Sequence, residues 1–301
     1  MISKITTWEI LEALYPTLKL AATYAIAIQQ RIKTRPEKTE FGDNFYATAL
    51  TDADLTIQTA IELVMLAQFP EIRFFGEEYQ SSYNTKYFKD INLVEGELLV
   101  TLDPVDGTRA YLDGLSTFAI IVTVIRGDRY AGVLIIKPQQ GYYLLALRDQ
   151  GAYRGSLEEN QLSLAEPIQL APLQSTKLYL SFGLSSLRLQ LSSDFEVWCS
   201  ATDYAPPQNP PEYLDLIKGE LAGAILERGN LIDSAAIGFV AKEAGAIVTL
   251  WDGSDFEPFT LVEPMKIGGI IIAHNPEIHR KIMLTPITFG GAARSPKGGT
   301  S

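Results

Sequence analysis

At 301 residues, with 47% hydrophobic and 20% charged residues, the chain has an ordinary globular composition and is long enough to bury one large core or two modest ones. A formal net charge of −11 argues against a nucleic-acid backbone or an anionic membrane as partner, because both need a basic surface; a small anionic substrate stays open, since bound metal can reverse the local sign. The single cysteine, Cys199, cannot make an internal disulfide, and no segment reaches the roughly 20 apolar residues of a membrane-spanning helix, so the expectation is a soluble cytoplasmic protein.

In chain order, residues 7–33 read as a long amphipathic helix with Trp8, Leu11, Leu14 and Leu18 inward, bent or split at Pro16. Glu9, Glu12 and Lys19 interrupt it and exclude a signal-peptide core. A polar loop, "TRPEKTEFGDN", leads to a second helix over about 54–69, where apolar residues recur at three- and four-residue steps. From 98 to 154 the period becomes that of strands: "LLVTL", "TFAIIVTVIR", "RYAGVLIIK" and "YYLLALR", separated by turn signals, predict an antiparallel meander. Residues 155–175 read as a variable loop region. Beyond it short apolar runs alternate with helical stretches near 211–218, 234–244 and 276–283, an α/β signature. The expected organisation is an α+β sub-domain over 1–157, an α/β sub-domain over 158–289 and a disordered tail over 290–301.

Acids gather at element ends: Asp52 and Asp54 in "TDADLTIQ", Glu77 and Glu78 in "FFGEEYQ", Asp103 and Asp106 in "LDPVDGT", and Asp233 in "LIDSAAIG". Each has an ordinary explanation. Asp54 and Asp233 each precede a helical pattern and suit an N-cap, Glu77 and Glu78 suit a solvated turn, and Asp103-Pro104 suits the start of a turn. Together they strain those explanations, because two apolar strands run straight into paired acids, and like charges so gathered need a cation between them. Hard oxygen ligands suit Mg²⁺ or Mn²⁺. A helix or tight turn beginning after Asp106 would aim the N–H groups of Gly107 and Thr108 outward as an anion cradle. Carboxylates, metals and such a cradle describe phosphate-ester hydrolysis. A phosphate-binding P-loop is absent, and the three-residue step from Asp103 to Asp106 fits neither the Asp-x-Asp of aspartyl-phosphate enzymes nor an EF-hand. With only His274 and His279, a histidine-based site is poorly supplied.

The stretches "GEE" at 76–78, "DPVDGT" at 103–108 and "IDSAAIGFVAKEAGAIV" at 232–248, preceded by "TDADLTIQ", resemble the signatures of the inositol monophosphatase family, relatives of fructose-1,6-bisphosphatase and of the 3′(2′),5′-bisphosphate nucleotidases. The resemblance implies stacked α, β, α, β, α layers and a phosphomonoesterase using two or three Mg²⁺ ions, with Mn²⁺ as the alternative. It implies that Glu77, Asp103 and the carbonyl of Val105 hold one metal and Asp103, Asp106 and Asp233 a second, with a third against Glu77. Thr108, bonded to Asp54, would orient the attacking water, and the N–H groups of Gly107 and Thr108 would receive the phosphate. Catalytic roles thus fall to Asp54, Glu77 and Thr108, and substrate contacts to Val105, Asp106, Gly107, Thr108, Glu227 and Asp233. The chain departs from the pattern in three places. Ile232 replaces the usual Trp, Glu227 is offset by one residue from a hydroxyl-binding glutamate, and "YAPPQNPPEYLDL" stands where the family has a small-residue turn. The expected substrate is a small phosphorylated polyol or sugar, by default inositol monophosphate; the alternatives are a 3′(2′),5′-bisphosphate nucleotidase or a metal-binding homologue without turnover. Homodimers are common in such families.

Overall fold

The computed structural model describes residues 5–31, 51–78, 95–162 and 166–285, with the backbone of 288–289 and 292–293. Helix α1 (Thr7–Ile28) begins on a reciprocal cap: the Glu9 N–H donates to Thr6 Oγ1 at 3.2 Å and the Thr6 N–H to Glu9 Oε2 at 2.7 Å. It runs unbroken through Pro16, which lies on the exposed face, where water can take the carbonyl that the missing N–H leaves unpaired. Helix α2 (Asp52–Gln68) starts two residues before the predicted position. Thr51, not Asp54, is its N-cap, and Asp54 sits at the third helical position, returning its carboxylate to the Thr51 N–H at 2.8 Å. The polar loop after α1 and nearly all of the 290–301 tail lie outside the described residues.

Strands β1 (Arg73–Gly76), β2 (Leu98–Asp106), β3 (Ala119–Arg126), β4 (Arg129–Lys137), β5 (Tyr142–Leu147), β6 (Gly151–Ser156) and β7 (Glu166–Ile168) form one seven-stranded sheet in that spatial order. β1 joins β2 in parallel and every other pairing is antiparallel. The predicted meander is therefore the body of the sheet, and β7 extends it past residue 157. Alternation sorts the side chains: Val100 and Leu102 of β2 face α1 and α2, whereas Leu99 joins the core on the other side, the side on which Thr101 and Asp103 alternate with it.

After the short α3 (Thr108–Leu112) between β2 and β3, the second half contributes β8 (Lys177–Leu180), α4 (Arg188–Leu191), β9 (Glu196–Cys199), α5 (Ser200–Asp203), β10 (Gly223–Leu226), β11 (Gly229–Asn230), α6 (Ser234–Glu243), β12 (Ile247–Leu250), β13 (Lys266–Ile267), β14 (Ile270–Ala273) and α7 (Pro276–Leu284). A mixed five-stranded sheet runs β12-β14-β10-β8-β9. The helix predicted near 211–218 is only a 3₁₀ turn, Tyr213–Leu216, because Pro210 and Pro211 stand before it and Gly219, at φ +75°, ends it.

Helix α6 is the middle layer. Ala235, Ala236, Phe239 and Val240 are buried in one core with Ile121 and Val133 of the first sheet and Ala224 and Ile272 of the second. Its alanines let the two sheets approach. The far face of the second sheet is covered by α7, through Ile278 and Ile282, and by Leu184, Leu187 and Leu191. The order is thus α1 with α2, sheet, α6, sheet, α7 with α4: the five-layered sandwich that the resemblance implies. Cys199 is a buried free thiol, as expected. No helix among the described residues is long and apolar enough to cross a membrane. At α7 the Asn275 side chain caps the Ile278 N–H at 3.0 Å. Asn275→Ala is expected to lower the unfolding free energy by about 1 kcal/mol in a urea titration; an unchanged midpoint would contradict that assignment.

Candidate active site

The first sheet and α6 bring the acids together. Gly76 of β1 pairs with Leu102 of β2, and the Glu77 N–H continues the ladder by donating to the Leu102 carbonyl at 3.1 Å, which sets Glu77 beside Asp103. Both follow the face of Phe75 and Leu99, the face turned toward α6. Pro104 removes a ladder donor, and the β2–β3 register shifts between Asp103 and Asp106, a bulge that re-aims the chain. Asp103-Pro104 therefore lies inside a strand rather than at the start of a turn. Gly107, at φ +82°, makes the left-handed step into α3, and a Cβ there would lie 2.9 Å from the Thr117 carbonyl. From the other half, α6 delivers Asp233 at its N-cap.

These elements enclose a cavity of about 700 Å³. Glu77, Asp103, Val105, Asp106, Gly107, Thr108, Glu227 and Asp233 all line it, as does Ile232, while Asp52, Asp54 and Glu78 do not. Asp54 lies one residue deeper, fully buried. It accepts from Thr51 and, at a long 3.4 Å, from Thr108 Oγ1, which donates at 2.8 Å to the Val105 carbonyl. Asp233 serves both of the roles open to it. It caps α6 by accepting from the Ser234 N–H and it accepts from Asn230 Nδ2 at 2.9 Å, yet it faces the cavity. Glu227 reaches the cavity past Gly183, where an added Cβ would collide with its Oε2.

Burial and mutual repulsion act on every acid here. Asp103 is only 3% exposed, and its carboxyl is held well above the usual range by burial and then by the charges of Glu77, Asp106 and Asp233. Asp106 is pushed up to about 7, by burial and by Asp233, against a smaller opposing pull from Lys137. Asp233 is raised to about 6 by burial, which outweighs its hydrogen bonds from Ser234. Asp54 is raised to about 6 by burial, partly offset by Thr51. Among the described residues no three such side chains converge as a closed coordination shell. The carboxylates lean instead on local donors, Asp103 on the Val105 N–H at 3.0 Å and Asp233 on Ser234 and Asn230. That is the arrangement expected of like charges with no cation between them. The donor set is all oxygen, acidic and buried, which fits a hard divalent cation.

Two groups at the cavity were not legible in the sequence. Lys137, ending β4, is buried and ion-paired with Glu212 of the proline-rich segment; in sequence it is one more lysine closing an apolar strand. Tyr179, Trp198 and Tyr213 form an aromatic wall, with Tyr179 5.0 Å from Trp198 and 4.7 Å, edge on, from Tyr213. Strand alternation marks them only as ordinary core candidates.

A histidinol-phosphatase of Chlorobaculum parvum is 25% identical over 134 residues, 44% of this chain and 48% of that protein, so the chain spans about half of that relative. A 3′(2′),5′-bisphosphate nucleotidase CysQ of Haemophilus influenzae is 22% identical over 202 residues, 60% of this chain and 72% of that one. Among solved structures, an IMPase/NADP phosphatase complexed with NADP and Ca²⁺ superposes with a TM-score of 0.68 at 16% identity, over 97% of this chain and 100% of that one. The inositol monophosphatase family model matches residues 10–285, a span that takes in both sheets, the bulged β2 strand and the aspartate that caps α6, and the chain belongs to that family.

Proposed function

We propose that the protein is a metal-dependent phosphomonoesterase acting on a small phosphorylated polyol or sugar, with inositol monophosphate as the reference substrate. The observation that carries this reading is the convergence of Glu77, Asp103, Asp106 and Asp233 on one cavity beside Gly107 and Thr108. Two Mg²⁺ ions would be held there by Glu77, Asp103 and the Val105 carbonyl, and by Asp103, Asp106 and Asp233, with room for a third against Glu77; Mn²⁺ suits the same oxygens. Bound there, the metal would polarise the phosphoryl group and make water a better nucleophile.

The chain's own residues then divide the remaining work. The first-turn N–H groups of α3, left unpaired by the helix, face an incoming phosphate. The Thr108 hydroxyl orients the attacking water and takes its proton as its own passes to Asp54, whose carboxyl, raised to about 6, is basic enough to accept it. Glu227, over Gly183, lies where a substrate hydroxyl would approach.

A second reading, a 3′(2′),5′-bisphosphate nucleotidase, is favoured by the wall of Tyr179, Trp198 and Tyr213, which suits a flat base better than a polyol ring. The test is phosphate release, with Mg²⁺ and with EDTA, from inositol 1-phosphate, fructose 1,6-bisphosphate, adenosine 3′,5′-bisphosphate and an aryl phosphate. Mg²⁺-dependent release is expected, and the preferred ester decides between the two readings. No release from any ester by folded, Mg²⁺-binding protein would leave it a ligand-binding homologue without turnover.

A further inference from the structure

The cavity holds one buried cation that the proposed hydrolysis does not use. Lys137 is 1% exposed and lines the cavity together with its partner Glu212. Ile136 pairs with Ile120 across β3 and β4, so Lys137 falls opposite Ala119, and Ala119 in turn pairs with Asp106. Asp106, Ala119 and Lys137 thus lie side by side on three neighbouring strands. Their outer members stand two strand spacings, roughly 10 Å, apart at the backbone. Ala119 between them is too small to screen one from the other. The ammonium therefore stands on the floor of the cavity, near the acids but displaced from the phosphate cradle at Gly107 and Thr108.

The other cations on the cavity wall lie nearer water: Arg109 is paired with Asp113, and Arg228 and Lys266 with Glu263, with side chains about one-third to one-half exposed. Lys137 differs in burial, and a buried ammonium needs an anion in every state of the protein. Its present partner is unequal to it. The Lys137 side chain is 2% exposed and rigidly carried by the sheet, whereas Glu212 is 18% exposed. Glu212 stands just before the 3₁₀ turn, where the segment leaves Pro210 and Pro211. Glu212 can take up water when it leaves the pair, and Lys137 cannot.

We propose that Lys137 selects phosphate esters carrying a second phosphate, which takes the place of Glu212 on its ammonium. The proposal rests on the phosphatase reading of the acid cluster for the position of the first phosphate, and it adds a specificity-determining residue outside the residues assigned to catalysis. The separation along the sheet is one that a diphosphorylated sugar or nucleoside spans. Glu212 acts as an internal competitor: it keeps the ammonium neutralised between turnovers and sets a threshold that only an anion can pass.

The test uses matched ligands that differ by one phosphate, adenosine 3′-monophosphate against adenosine 3′,5′-bisphosphate and fructose 1-phosphate against fructose 1,6-bisphosphate. Binding to the full chain is measured by calorimetry with Mg²⁺, alongside kcat and KM. The ratio of bisphosphate to monophosphate affinity is expected to exceed one in the wild type for at least one pair. It should fall by about 10-fold to 100-fold in Lys137→Met, the scale of a charge-assisted hydrogen bond, and rise in Glu212→Gln, where the lysine loses its rival. A wild-type ratio near one for both pairs, or an unchanged or lowered ratio in Glu212→Gln, overturns the proposal. Should Lys137→Met fail to fold by circular dichroism, Glu212→Gln alone decides. Release of phosphate that persists in EDTA would instead remove the metal-dependent phosphatase reading, while the calorimetric ratios would still decide the role of Lys137.

Discussion

Asp103→Asn is expected to reduce Mg²⁺-dependent phosphate release by on the order of 10³-fold, while raising the melting temperature of the metal-free protein. Both effects have one cause. Asp103 is the most confined of the acids, 3% exposed, and the one that Glu77, Asp106 and Asp233 all repel. Such a carboxylate is tolerated only if something needs it ionised, and as the ligand shared by both proposed metals it would lose one cation and misplace the other when neutralised. Losses of 10²-fold to 10³-fold follow removal of a single preorganised donor, and a bridging ligand is worth at least as much. In the absence of metal the same charge is a liability, because its burial is uncompensated. Asn keeps the shape and the acceptor for the Val105 N–H, 3.0 Å away, and removes the repulsion. Phosphate release and thermal unfolding on one preparation check both. Unchanged turnover would remove Asp103 from the metal site, and a lower melting temperature in EDTA would make its role structural.

The parts of this site that the sequence makes legible are those in which a short segment dictates its own geometry. In "DPVDGT" the proline forces the bulge, the glycine supplies the left-handed step and the threonine opens α3, so six residues carry strand, bulge and turn without help from elsewhere. Asp233 is legible for the same reason, since a helix cap is local. Less legible is what depends on partners distant in sequence. Glu77 looks like a solvated turn until the parallel pairing of β1 with β2 sets it beside Asp103. Asp54 looks like a cap because Thr51, one turn earlier, competes for that position, and Thr51 prevails by closing a reciprocal pair of bonds with Asp54 itself. The pairing of Lys137 with Glu212 joins residues 75 apart, and nothing in either neighbourhood announces it. The proline-rich segment is a visible departure from the family pattern, but only the fold brings its glutamate to the one buried lysine.

In EDTA, the melting temperature is expected to fall as pH rises from about 4 to about 7, and in Mg²⁺ this fall should be reduced or abolished. Asp106 has a folded-state pKa of about 7 and Asp233 and Asp54 of about 6, whereas unfolded aspartates titrate near 3.9. A group whose folded pKa is raised is protonated in the folded chain and ionised in the unfolded one throughout that window. The folded state then binds more protons, and stability declines as pH rises through it. The stabilising contribution is complete below about pH 4 and gone above about pH 7. Asp203 works in the opposite sense: its hydrogen bonds with Arg188 lower its pKa to about 2, so its contribution is present above about pH 4 and lost only toward pH 2. The two windows do not overlap and can be separated in one titration. A divalent cation among the acids removes the need for protons, so the shift between EDTA and Mg²⁺ should widen with pH, to more than about 5 °C at neutrality for a chain of this size. A shift that is constant from pH 5 to pH 8 would place the cation on groups that do not titrate there, and the buried acids would then be structural rather than metal-binding.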